Sequence, residues 1–389
     1  MKDGRRKSDV SSSDFRLPTS GLSHERQSIK MNFHKLTIKD IRNETTECIS
    51  ISFDIPEELK GIFKYVHGQN ITLKTFINEE EIRRSYSICS APYENELRVA
   101  IKKVEGGKFS SFARSLKKND VLEILPPTGK FYTELNPSAK KKYIAFAAGS
   151  GITPVISIIK TTLSTEPLSS FTLVYGNKNR GTIIFKEELE AIKNRYMNRF
   201  VLHHILSREQ TDAEINHGRI TAEKCDALSE KLIDIKNMDE FFICGPEQLI
   251  FSVRDWLEKN NIERKKIHFE LFVVPGEKLE VRRQNLENKK TKDDEEISRI
   301  TIRQDGIAFS FELQYDGLSI LDAAIKQGAD LPFSCKGGVC STCRAKLCEG
   351  EIEMVHNYAL EPEELEKGFI LTCQSHPRSE KVVIDFDVK

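Results

Sequence analysis

The stretch LPFSCKGGVCSTCRAKL, residues 331–347, holds three cysteines: Cys335, Cys340 and Cys343. A fourth, Cys373, follows in ILTCQSH after an interval of 29 residues. The spacing is C-x4-C-x2-C and then one distant cysteine. A loop of this kind wraps a small centre with three neighbouring thiolates, and a remote segment closes the cage. Gly337 and Gly338 let the backbone fold tightly and turn N–H groups toward the sulfurs. A structural zinc cage prefers paired C-x2-C knuckles. Only one such pair is present here, and Cys373 stands alone.

That spacing fits two irons, and it matches the plant-type [2Fe–2S] arrangement C-x4-C-x2-C…C. The expected ligands are Cys335, Cys340, Cys343 and Cys373. Cys348 falls outside the pattern, and Cys48, Cys89 and Cys225 read as core or surface residues. The last 90 or so residues resemble the plant-type ferredoxin family. Such a domain moves one electron at a time, so the rest of the chain should contain what loads it.

A length of 389 residues suggests two or three domains. Basic and acidic residues balance at 59 each, which gives no global basicity for nucleic acid. Apolar residues make up 39%, enough for ordinary cores. No apolar run reaches the ~20 residues of a membrane span. The basic start MKDGRRKSD is followed by no apolar stretch, so a secretory signal is not expected. Nine cysteines in such a chain point to reduced thiols, a metal site or redox chemistry. A cytoplasmic location follows as the expectation.

Residues 1–32 are polar and lack periodicity, and they read as a disordered extension. Residues 33–135 read as an antiparallel β-barrel, from short β-rich runs such as CISISFDI, NITLKTFI and LRVAIKKV between turn signals. Residues 136–275 alternate apolar runs (KYIAFAAG, FTLVYGN, FVLHHIL, EFFICG) with helical stretches, the βαβ signature of a parallel sheet. Residues 276–298 are densely charged and read as a solvated, partly helical linker. Residues 299–389 read as strands and one helix around the cysteine loop, and the ferredoxin resemblance implies an α+β (β-grasp) domain there.

In the barrel region, RRSYSICS supplies Arg84, Ser85, Tyr86 and Ser87. A guanidinium suits a pyrophosphate, a Tyr ring can stack on a flat cofactor, and a Ser hydroxyl can reach a reacting nitrogen. One strand later, VEGGKFSSFA brings Gly106, Gly107, Lys108, Phe109 and Ser110, where glycine and a helix start admit a phosphate. Lys102 and Val104 lie just before it. The turn in YIAFAAGSGITPVISII offers Gly149, Ser150 and Gly151, with Thr153 as the helix cap and Pro154 at its first position. FFICGPEQLI adds Cys244, Gly245 and Pro246. LSREQ adds Ser207 and Arg208, a hydroxyl–guanidinium pair suited to a phosphate; Arg180 and Arg219 are further candidates.

These segments resemble the ferredoxin–NADP reductase family, whose R-x-Y-[ST] motif matches residues 84–87. The resemblance implies FAD at the barrel and NADPH at the parallel-sheet domain, with Ser207 and Arg208 on the 2′-phosphate. It also implies catalytic roles for Ser87, Cys244 and Glu270, the last in HFELF together with Phe272. Cys244 is expected to pack and position rather than attack.

From residue 33 to the end the chain resembles the reductase components of multicomponent oxygenases that carry a C-terminal ferredoxin. That implies the path NADPH to FAD to [2Fe–2S] to an oxygenase. The implied partner is a di-iron oxygenase of the phenylacetyl-CoA epoxidase type; a Rieske or haem oxygenase is the alternative acceptor, and a zinc-stapled interaction module the alternative outside enzymes. Residues 298–389 hold 10 Lys and Arg against 15 Asp and Glu, a net of −5. An acidic donor is steered to a basic docking face.

Overall fold

The computed structural model describes residues 32–272 and 296–388. The extension up to residue 31 and most of the charged segment, 276–295, lie outside the described residues.

Six antiparallel strands come first: β1 (His34–Thr45), β2 (Cys48–Asp54), β3 (Asn70–Ile77), β4 (Glu80–Ser87), β5 (Leu97–Lys102) and β6 (Val121–Ile124). Their order is β4-β3-β6-β1-β2-β5. A bridge between Ile88, just past β4, and Val99 on β5 joins the two ends, so the sheet closes as a barrel. Alternation along the strands sends Leu36, Ile38, Ile71, Leu73 and Ile124 into one apolar core. The short helix α1 (Lys108–Phe112) follows β5.

The second region alternates strand and helix: β7 (Lys142–Ala148), α2 (Ile152–Thr165), β8 (Ser170–Asn177), α3 (Lys186–Arg195), β9 (Phe200–Leu206), α4 (Ala222–Lys231), β10 (Glu240–Gly245), α5 (Glu247–Lys259) and β11 (Ile267–Leu271). The order is β11-β10-β7-β8-β9, and every pairing is parallel. On β7 the residues alternate between two cores. Tyr143, Ala145 and Ala147 pack with α2 and α3, while Ile144 and Phe146 pack with α4 and α5. Burial on both faces is why the strands read as continuous apolar runs.

The barrel packs on the α2 side, where Cys48, Cys89, Ala100 and Phe131 join the core of the parallel sheet. Ser157 Oγ donates to the Ser90 carbonyl at 2.6 Å. Lys160, only 6% exposed, reaches Glu94 at 2.8 Å and Glu188 at 2.7 Å. A buried ammonium requires such partners, and this one ties the barrel to α2 and α3.

The third region holds β12 (Ile297–Gln304), β13 (Ile307–Gln314), α6 (Ile320–Lys326), β14 (Arg344–Glu349), β15 (Ile352–Met354), α7 (Pro362–Glu366), β16 (Phe369–Leu371), β17 (Ser375–Pro377) and β18 (Lys381–Asp385). The main sheet runs β13-β12-β18-β14-β16, with β12 and β18 parallel. Helix α6 lays Ile320, Leu321 and Ala324 over Ile300, Ile302, Val382 and Ile384. Strand β12 starts at Ile297, inside the segment read as linker. Among the described residues no helix is long and apolar enough to cross a membrane.

Candidate electron-transfer site

In an open parallel sheet, ligands bind beyond the carboxyl ends of the strands where the order reverses. Here that point lies between β7 and β10. Both glycine turns read from the sequence sit there: residues 149–151 leave β7, and Gly245 ends β10. A Cβ at Gly151 would fall 2.0 Å from the Cys244 carbonyl oxygen, so only glycine lets the two turns touch. Tyr175 donates its hydroxyl to the Gly149 carbonyl at 2.9 Å and anchors the turn. Thr153 and Pro154 do not play the parts expected of them. A single 3-10 turn over Gly149–Gly151 runs straight into α2, which starts at Ile152. Thr153 is therefore inside the helix, buried, and donates to the Ser150 carbonyl at 3.0 Å. Pro154 is the third helical residue. Pro246 is the residue before α5.

Strand β4 has two working faces. Successive side chains point opposite ways, so Arg84 and Tyr86 share one side and Arg83, Ser85 and Ser87 the other. Tyr86 lies against Phe109 of α1, ring centroids 5.6 Å apart. Phe109 is itself core, 1% exposed. Arg84 is half-buried and donates to the Arg83 carbonyl at 2.7 Å. The loop before α1 is shaped by Ser110, whose Oγ accepts the Val104 N–H at 3.1 Å. A Cβ at Gly107 would sit 2.6 Å from that Oγ. Lys108 pairs with Glu80 at the surface, and the Val104 side chain is exposed. Lys102 reaches toward the turn after β7: its Nζ lies 3.7 Å from where a Gly149 Cβ would be.

On the other side of β4, Ser87 Oγ donates to Glu270 Oε2 at 2.8 Å, across 183 residues of sequence. Glu270 stands on β11 in register with Cys244 on β10. Burial raises the Glu270 carboxyl to about 7, against the pull of hydrogen bonds from Ser87 and Asn70, and the Cys340 sulfur adds to the rise. Cys244 is fully buried, and burial pushes its thiol well up, so it stays neutral. This suits packing and not nucleophilic attack. Phe272 is exposed just past β11. Asn70 and Tyr175 were not singled out in the sequence, since a strand Asn and a buried Tyr carry no local signal.

The cysteine loop is held by hydrogen bonds from its own backbone. Gly337 N–H and Cys340 N–H donate to Cys335 Sγ at 3.3 and 3.4 Å. Cys335 N–H lies 3.5 Å from Cys340 Sγ. Gly338 takes φ +75° under the His356 carbonyl, where a Cβ would be at 2.8 Å. The thiols fall into two interacting pairs. Cys335 and Cys340 interact, which lowers Cys340 and, together with burial, raises Cys335. Cys343 is likewise raised by its partner Cys373. Gln374 ties the remote segment to the loop by donating to the Lys336 carbonyl at 2.9 Å. Among the described residues no group of three or more His, Cys, Asp or Glu side chains is drawn together as a metal site. Four thiols, with backbone N–H groups aimed at Cys335 and Cys340, are the donor set that an iron–sulfur centre takes.

Ser207 and Arg208 follow β9 at the edge of the sheet. Ser207 donates its N–H to the Asn177 carbonyl at 2.9 Å. Arg208 lines an open pocket of about 480 Å³ with Glu209, Gln210, Thr211, Glu214 and His217. Arg180 is not free for a phosphate: it pairs with Glu209, and its N–H donates to that carboxylate at 2.8 Å. Arg219 is exposed nearby in sequence.

The residues fit the groups their pattern implies. Asn177 Nδ2 is buried at the carboxyl end of β8 with no partner among the described residues, an orphaned donor on the ligand-binding edge. Ser87, Asn70, Glu270 and Cys244 supply polar and soft groups at one junction. Family comparisons agree region by region. The oxidoreductase FAD-binding domain matches residues 35–132, the oxidoreductase NAD-binding domain 146–255, and the 2Fe-2S iron-sulfur cluster binding domain 302–378. The chain is 42% identical to a subunit of 1,2-phenylacetyl-CoA epoxidase from Escherichia coli (strain K12), over 92% of this chain and 98% of that one. The chain belongs to that protein's family. The same family includes the ferredoxin reductase component of 3-ketosteroid-9-alpha-monooxygenase from Rhodococcus rhodochrous, 30% identical over 90% of this chain and 96% of that one. Among solved structures, phthalate dioxygenase reductase has the same fold, with a TM-score of 0.56 and 24% identity over 91% of this chain and 98% of that one. As a member of this oxygenase-reductase family, the chain is an oxidoreductase with FAD-binding, NAD-binding and 2Fe–2S domains.

Proposed function

We propose that this chain carries electrons from NADPH through FAD and a [2Fe–2S] cluster to a di-iron oxygenase of the phenylacetyl-CoA epoxidase type, in the cytoplasm. The observation that carries the reading is the junction where β4, β11 and the cysteine loop meet. Ser87 holds Glu270, and Ser334 of the cysteine loop hydrogen-bonds Thr72 and Ser85. The division of labour is FAD at 33–135, nicotinamide at 136–275 and the cluster at 299–389, joined by the segment 276–298.

Arg84 and the backbone of residues 107–110 would hold the FAD pyrophosphate, with Tyr86 beside the ring system and Lys102 and Val104 toward the adenosine. Residues 149–151, with Cys244, Gly245 and Pro246, would hold the nicotinamide half. Ser207 and Arg208 would take the 2′-phosphate, although Glu209 and Glu214 in the same pocket work against it. Cys335, Cys340, Cys343 and Cys373 would ligate the irons. When bound, FAD converts a hydride into electrons that the cluster can pass on singly. Glu270, raised to about 7, can hold a proton at Oε2 next to Ser87 Oγ. Neutral Cys244 excludes water and sets the approach of the dihydropyridine.

The choice of partner rests on the 42% identity to a component of phenylacetyl-CoA epoxidase. Reconstitution of the chain with the oxygenase component of a phenylacetyl-CoA epoxidase should give NADPH-driven epoxide. NADPH consumption without product, when a Rieske oxygenase is served well, would transfer the chain to the other acceptor.

A further inference from the structure

Strand β4 meets a different neighbour on each face. Its Arg84–Tyr86 face turns to α1. Its opposite face meets the ferredoxin domain. The Arg83 guanidinium, in a side chain 8% exposed, stacks over the Phe333 ring at 4.2 Å. Phe333 stands two residues before the ligand Cys335. Arg83 is fixed from behind: its Nε donates to Glu81 at 2.7 Å, and Phe33 lies under the same guanidinium at 4.9 Å. Asp330 pairs with it at 3.5 Å. The next residue of the cysteine loop, Ser334, is 2% exposed and meets two hydroxyls of the barrel. Thr72 of β3 donates to Ser334 Oγ at 2.8 Å, and Ser85 of β4 hydrogen-bonds the same oxygen. Thr72 and Ser85 face each other in register. Thus Arg83, Ser85 and Ser87, successive residues on one face, touch Phe333, Ser334 and Glu270 in turn. A second contact lies at α7, where Glu364 pairs with Lys130 of the barrel at 3.2 Å.

We propose that Arg83 is a positioning residue for the electron-transfer step: its stack on Phe333 registers the cysteine loop on β4, directly behind the strand that carries the Arg84–Tyr86 face. The inference rests on the electron path proposed above. Each NADPH delivers a hydride, two electrons and a proton. Two single electrons leave through the cluster, and the proton returns to solvent. The loop must therefore regain one register for both departures. Guanidinium on an aromatic face suits that task, because the planar contact fixes orientation as well as distance, which lysine cannot do. The two hydroxyls on Ser334 then set the depth of the loop.

The test uses the full chain with its cofactors and the variants Arg83→Ala, Arg83→Lys and Phe333→Leu. Anaerobic mixing with NADPH follows flavin bleaching and cluster reduction separately, and small-angle scattering reports the compactness of each protein. Flavin bleaching should stay within about twofold of wild type. Cluster reduction should slow about tenfold or more in Arg83→Ala and Arg83→Lys, and less in Phe333→Leu. The radius of gyration should rise in Arg83→Ala, while the electron paramagnetic resonance spectrum of the dithionite-reduced cluster stays unchanged. Equal cluster reduction and equal compactness in Arg83→Ala would overturn the positioning role. So would a slow step accompanied by an altered cluster spectrum, since Arg83 would then act on the cluster and not on docking. A wild-type cluster that NADPH never reduces would instead overturn the electron path, and with it this role.

Discussion

The cysteine loop and the flavin–nicotinamide junction do adjoining work but are built in opposite ways. Three of the four thiols come from one short loop, whose own N–H groups point at Cys335 at 3.3 and 3.4 Å. The junction draws Asn70 and Ser87 from the barrel, Cys244 and Glu270 from the parallel sheet and Cys340 from the ferredoxin domain. A local loop can specify what is bound. Only the packing of whole domains can specify how closely two bound groups approach. Substitutions in the loop should therefore abolish one function outright, whereas those at the nucleotide sites should grade it.

The largest effect is expected at Cys343. Cys343→Ser replaces a soft thiolate with a harder oxygen donor and should destroy the cluster. The barrel and parallel sheet have their own cores, so NADPH-driven reduction of a small dye should persist. Turnover of the oxygenase should fall to background. Coupled turnover without cluster iron would break the contrast between local loop and distributed junction.

Arg208→Ala comes next. Losing one charge-assisted contact to the 2′-phosphate should raise the KM for NADPH about ten- to a hundredfold, ~1.5–3 kcal/mol, and leave NADH nearly unchanged. Steady-state kinetics with both nucleotides decide it. Equal effects on both would remove Arg208 from phosphate recognition and leave Glu209 and Glu214 to set the pocket's preference.

The smallest effect concerns pH. Glu270 is raised to about 7 in the folded chain from an ordinary 4.5, chiefly by burial. Its contribution is fully present below about pH 4.5 and is lost as pH rises through 7, because the buried carboxyl must then ionise. Glu270→Gln cannot ionise. Its thermal stability should match wild type near pH 4.5 and exceed it at pH 8 by ~1–2 kcal/mol, once solvent access to the half-buried carboxyl is allowed for. A gap that widens toward acid would reverse the assignment.

Sequence reasoning reached the pieces whose chemistry is local. The strands of the barrel and the parallel sheet were legible from alternating and continuous apolar runs, and the 2Fe–2S domain from the cysteine spacing. The three-residue strands β15, β16 and β17 were not, because so short a run has no period. Thr153 and Pro154 looked like a helix start because a Thr-Pro pair after glycine usually is one. The close approach of Gly151 to Cys244, which winds the turn tighter and starts the helix earlier, is a tertiary fact. Arg83 and Ser334 gave no signal either. Each looks like an ordinary polar neighbour of a motif until β4 and the cysteine loop are brought together.

The central claim is that electrons entering at the nicotinamide turn leave through the four-cysteine centre. Anaerobic addition of NADPH to the intact chain, followed at once by visible absorption and electron paramagnetic resonance, tests it most directly. The flavin should bleach, the signal of a reduced [2Fe–2S] cluster should grow with it, and mixing with oxidised di-iron oxygenase should discharge that signal. A fully bleached flavin beside a cluster that stays oxidised would contradict the account.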